Sequence, residues 1–178
     1  MIPKPYKTEK LEAPVTREAL HELAIVWVEE QFSRKGTIPN MMWLFAAGPF
    51  VMWLEIDWED NRAGYLYAMS QLMKRIEAHA YTIISEAWSA STDNLPPDEV
   101  QALIDFAEKH GVQALPPHMR DDMLMVTTYD KGGSRLFTRY LVTMRLPGFG
   151  LSFLGPRQDE DIGGDIVPVQ DVFGGLLK

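Results

Sequence analysis

Residues 36–54 carry no charged side chain, although Lys35 and Glu55 flank them. Their centre reads Met41-Met42-Trp43-Leu44-Phe45-Ala46-Ala47-Gly48-Pro49-Phe50-Val51-Met52-Trp53-Leu54. A run of this length is just long enough to cross a bilayer as a helix. Pro39 and Asn40 stand inside it, however, and Gly48-Pro49 breaks its middle, where a lipid-exposed break would leave backbone groups unpaired. The pattern therefore predicts two buried strands in a water-soluble body. The second reaches water at Glu55-Ile56-Asp57-Trp58-Glu59-Asp60.

Helical spacing lies on either side of this hairpin. Leu20, Leu23, Ala24, Trp27 and Val28 recur as one helix face, with Thr16 placed to cap the start and Gly36 to end it. Glu22, Glu29, Glu30 and Arg34 take the opposite face. A second helix is predicted to start among Asp57–Asp60 and to bury Leu66, Met69, Leu72, Met73 and Ile76. A third starts at Pro96-Pro97-Asp98-Glu99, turns Val100, Leu103, Ile104 and Ala107 inward, and ends at Gly111.

β-Branched and aromatic residues mark strands over Tyr81–Trp88 and Met123–Tyr129. Asp130-Lys131-Gly132-Gly133 predicts a tight turn into a returning strand, Arg135–Arg145, because paired glycines supply the positive φ of such turns. Phe149–Leu154 adds one more. Together these elements predict an α+β fold: a mainly antiparallel sheet of about five or six strands with two or three helices packed on one face. The domain spans 15–155, after a loose lead-in over 1–14 and before an acidic, glycine-rich tail over 156–178.

Composition narrows the chemistry. A hydrophobic content of 46% and a charged content of 24% are those of an ordinary globular protein, and 178 residues make one domain the expectation. The absence of cysteine removes disulfides, thiolate metal sites and cysteine nucleophiles, and fits a reducing cytoplasm. Met1–Lys10 has no apolar core, so it does not read as a secretory signal. A net charge of -8 argues against general nucleic-acid binding, which needs a basic footprint. His21, His79, His110 and His118 never stand four apart, and each reads as an ordinary polar position. No phosphate-cradling loop, dinucleotide fingerprint or nucleophile elbow occurs.

Three groups of residues remain as candidates. Glu55 and Asp57 share one face of an extended strand, and Glu86 lies among apolar neighbours. Carboxylates so placed can hold magnesium or manganese or act as acid and base; their structural reading is helix capping and ion pairing. Arg135, Arg139 and Arg145 alternate onto one strand face with Phe137, opposite Leu136, Thr138, Tyr140, Val142 and Met144. Such a stripe suits an anionic ligand or a solvated face neutralised by Glu86 or by Glu55 and Asp57. Trp58 and Trp88 at strand ends, and Phe173 in the tail, are candidates for an interface. The leading expectation is a cytoplasmic protein that acts by binding itself or a protein partner, with no cofactor and no membrane. The alternative is a divalent-metal enzyme or phosphate- or nucleic-acid-processing protein that joins Glu55, Asp57 and Glu86 to the arginine strand.

Overall fold

The computed structural model describes residues 7–10, 16–45, 50–56, 62–91, 95–130, 135–146 and 151–162. Helix α1 spans Arg17–Lys35. The Thr16 hydroxyl accepts the amide proton of Ala19, and Gly36 ends the helix in the left-handed region at φ 68. The uncharged run forms two strands, β2 (Met41–Phe45) and β3 (Phe50–Glu55), paired antiparallel with Trp43 opposite Trp53. Helix α2 (Arg62–Arg75) leads to the long strand β4 (Ala80–Ala90), and α3 (Pro97–His110) connects β4 to β5 (Arg120–Asp130). Strand β6 (Arg135–Leu146) returns beside β5. The starts expected for α2 at Asp57–Asp60 and for the turn after Asp130 lie outside the described residues. Among the described residues, no helix is long and apolar enough to cross a membrane.

Three further strands complete the sheet. β1 (Lys7–Lys10) pairs with the outer side of β3, within the segment expected to be loose. β7 (Leu151–Leu154) and β8 (Gln158–Ile162) lie end to end along the outer side of β6. The strand order is β1-β3-β2-β4-β5-β6, then β7 and β8, with every pairing antiparallel. The α+β class, the antiparallel sheet and the strand within Phe149–Leu154 are as expected; the strands not expected, β1 and β8, are short, polar pieces at its two edges. Edge strands are held by backbone hydrogen bonds and tolerate charge, so Lys-Thr-Glu-Lys and Gln-Asp-Glu-Asp-Ile give no hydrophobic signal.

The helices do not all share one face. Every residue of β2 is buried. Met41, Trp43 and Phe45 pack with Leu20, Ala24, Ile25, Val28 and Phe32 of α1. Met42 and Leu44 pack with Met69, Leu72 and Met73 of α2. Successive strand residues point to opposite faces, so α1 and α2 cover opposite sides of the sheet. A strand that is apolar at every position, rather than alternating, requires cover on both faces.

The buried stripe of α1 is also turned from its expected position. It runs through Leu20, His21, Ala24, Ile25, Val28 and Phe32, while Leu23 and Val26 are exposed. His21 precedes Ile25 by four residues and Val28 by seven, which is one helix face. The helix turns it inward because a polar partner awaits it there.

At the end of α2 the chain makes a left-handed cap. The Ala78 amide bonds Met73 O at 2.9 Å, the Glu77 amide bonds Lys74 O at 3.3 Å, and Glu77 has φ 53. A glycine adopts that conformation without strain, whereas a side chain is penalised by its Cβ. Glu77→Gly is expected to stabilise the fold by about 0.5–1 kcal/mol, despite the greater freedom of glycine in the unfolded chain. The midpoint of urea unfolding checks this, and an unchanged or lower midpoint counts against the cap.

Candidate functional site

Two polar features break the apolar packing on the α1 face. The first is a row of side chains beneath the helix. His21 is 4% exposed. Its Nδ1 lies 2.8 Å from Thr128 Oγ1 and its Nε2 lies 2.9 Å from Thr138 Oγ1. Thr82 Oγ1 is 2.7 Å from Thr128 Oγ1, and all three threonines are buried. The register explains the meeting, because Thr82 pairs with Thr128 on adjacent strands and Thr138 follows on β6. Thr138 donates to Asp159 Oδ1 at 2.5 Å, and Arg157 Nε donates to the same oxygen at 2.8 Å. Arg157 also reaches Glu22 of α1, with one contact at 2.9 Å.

The row thus ties α1 to four strands and runs from the core to the surface. Asp159, in the segment read as an acidic tail, is the outer end of this row. Hydrogen bonds from Arg157 hold the Glu22 and Asp159 carboxyls below their ordinary range. Burial lowers the affinity of His21 for a second proton; Glu22 and Asp159 oppose that effect, and Arg157 and Arg17 add to it. Nearby, Tyr140 donates to Glu29 Oε1 at 2.6 Å. Burial, then that carboxylate, raises the phenol's pKa.

The second feature lies beyond the end of α1. Ala80–Ile84 of β4 are buried at every position, but the strand emerges from Ser85 onward. Its far part, with the start of β5 and the middle of β6, borders a groove of about 440 Å³. Trp88 stands at its wall, 52% exposed, with the Arg120 guanidinium 4.8 Å from the ring centre. Asp121, Asp122, Leu141 and Val142 line the rest. A smaller depression of about 210 Å³ adjoins it between Glu86, Trp88, Asp122 and Met123. The Arg120 contact orients the indole and contributes about 0.5–1 kcal/mol. Leu141 of β6 and Phe153 of β7 are also exposed, but the register aligns Leu141 with Met123 and Ala87, on the other side of the sheet from Trp88.

The residues singled out in the sequence fall in different places. Glu86 anchors the loop after α1: its Oε1 accepts the Thr37 hydroxyl at 2.7 Å and the Ile38 amide at 2.8 Å. Glu55 is exposed at the end of β3, on the same face but two strands from Glu86, which is roughly 10 Å or more. Asp57, Trp58 and Phe173 lie outside the described residues. Arg135 and Arg139 pair with Tyr129 and Met125, so they occupy the face opposite Glu86, whose partner is Leu124. Arg145 stands opposite Ser152. Glu86 and Glu55 therefore do not share a cleft with Arg135 and Arg139, because strand alternation sends them to opposite sides of the sheet.

What lies beside the stripe is β8. Arg139 donates to Gln158 Oε1 at 2.8 Å, and Glu160 pairs in register with Phe137, between the two arginines. Among the described residues, no three histidine or carboxylate side chains gather to hold a metal ion. Among the described residues, Trp88 is the sequence candidate at the groove wall, and Glu86 borders the smaller depression beside it. Sequence reasoning missed His21, for which helical spacing from Ile25 and Val28 was the available signal. It also missed Arg120, whose placement depends on the β4–β5 register. No protein-family model, no curated protein and no solved structure matches this chain, so its function is argued from this geometry alone.

Proposed function

We propose that this protein acts by binding another protein, and that the partner closes over the groove beside Trp88. The observation that carries the reading is the half-exposed indole held by Arg120 at the groove wall. Aromatic anchors that are already fixed in place lose little freedom on binding. Tryptophan beside arginine, with apolar Leu141 and Val142 and a rim of Asp121 and Asp122, has the composition of an interface centre. The cysteine-free sequence is in keeping with action in the cytoplasm.

A second copy of this chain is one candidate partner. Two such copies repel each other through a net charge of -8 apiece, so added salt should strengthen self-association by screening. A basic partner should respond in the opposite sense. Sedimentation velocity of the wild type, Trp88→Ala and Tyr67→Ala at low and high salt tests the first case. Tyr67 is a comparably exposed aromatic on α2 and serves as the control. If the wild type is monomeric, the same three proteins serve as baits in a lysate of the source cells. The expected result is a complex retained by the wild type and Tyr67→Ala and weakened about thirtyfold or more by Trp88→Ala, as for an anchor residue. Equal association by all three proteins overturns the reading.

A further inference from the structure

The hydrogen-bond row under α1 has a direction that proton counting determines. Each threonine hydroxyl has a single proton to donate, and an ionised carboxylate can only accept. Thr138 spends its proton on Asp159 Oδ1. It has none left for His21, so Nε2 must carry hydrogen and donate to Thr138 Oγ1. In the neutral ring Nδ1 is then bare and accepts from Thr128. Thr128, its proton used, accepts from Thr82. Every bond points the same way, from Thr82 through Thr128, His21 and Thr138 to Asp159.

A second proton on the ring reverses half of this row. Nδ1 becomes a donor, Thr128 must accept from it and turn its own proton to Thr82, and Thr82 loses its acceptor in the row. A full charge then sits between the helix and the sheet. The charged groups around it are Arg17 and Glu22 from α1, Arg157 and Asp159 from the β8 side, and Asp130 of β5, whose Oδ2 is 3.7 Å from Arg17. We propose that His21 is a proton-operated latch: the neutral, Nε2-protonated ring holds α1 on the sheet, and a second proton loosens the helix.

The sign follows from linkage. An opened or unfolded form takes up the proton near the ordinary histidine value of 6.5, whereas the closed form takes it up only at lower pH. Between those two values the open form binds more protons, so closure is fully stable above 6.5 and weakens as pH falls. For one proton the opening constant rises about tenfold per pH unit within that window.

Two measurements on the full chain test the latch. Long-range 1H–15N spectra at pH 7.5 should show His21 with Nε2 protonated and Nδ1 bare; the opposite tautomer overturns the proposal. Hydrogen exchange of α1 amides, corrected for intrinsic rates, should lose protection as pH falls from 7.5 to 5.5. His21→Gln keeps an acceptor for Thr128 and a donor for Thr138 but cannot titrate, so its protection should stay flat. The same loss in His21→Gln overturns the proposal. Should that variant fail to fold, Thr138→Val decides. Without the Thr138 hydroxyl nothing holds hydrogen on Nε2, and the ring should shift to the Nδ1-protonated form that donates to Thr128. An unchanged tautomer in Thr138→Val removes the basis of the latch.

Discussion

Trp43→Ala is expected to cost about 3–5 kcal/mol, a large share of the 5–15 kcal/mol that stabilises a typical domain. Trp43 has no exposed surface. Its ring lies flat on Trp53, with centroids 4.6 Å apart and planes at 4°, and meets the edge of Trp27 at 5.4 Å. Trp27 closes the triangle against Trp53 at 5.7 Å. The cluster joins α1 to the β2–β3 hairpin, so its loss leaves a cavity where helix and sheet meet. Trp43→Phe should recover much of the stability. It keeps an aromatic ring on Trp53 and removes Nε1, a buried donor with no acceptor among the described residues. Chemical unfolding of the three proteins checks both claims; a tolerant alanine variant would count against the packed cluster.

Leu44→Ala, one residue along, is expected to be nearly as severe, at about 2–5 kcal/mol. On a strand with one face in water, two adjacent residues cannot both be essential to the core, because one of them points outward. Here Leu44 belongs to the opposite cluster, with Met42, Leu54, Met69, Met73 and Tyr81. The two substitutions damage separate cores and share few neighbours, so their costs should add approximately in the double variant. Unfolding free energies of both single variants and of the double variant test this. If either single change costs less than about 1 kcal/mol, β2 is not sealed on both sides.

Much of the architecture was legible in local pattern. The cap at Thr16, the stop at Gly36, the division of the uncharged run into two strands and the alternation along β6 rest on backbone preference and side-chain period, which act between near neighbours. The candidate site was less legible. Trp88 was singled out because it ends an aromatic strand, yet its exposure depends on how far β4 extends past α1. Arg120 comes beside it through pairing of Ala90 with Arg120 and of Trp88 with Asp122. That pairing joins residues thirty or more positions apart in sequence, beyond any local signal.

Hydrophobic period and turn chemistry are properties of short segments, so the three helices, the antiparallel α+β class and the burial of Met41–Phe45 were readable along the chain. The assembled sheet placed α1 and α2 on opposite faces, kept Glu86 apart from Arg135 and Arg139, and set His21 between Thr128 and Thr138 in the row that runs from Thr82 to Asp159. Those outcomes depend on strand order and register. Register assigns each side chain to one face or the other, and it is settled by packing between distant segments and not by the residues of any one of them.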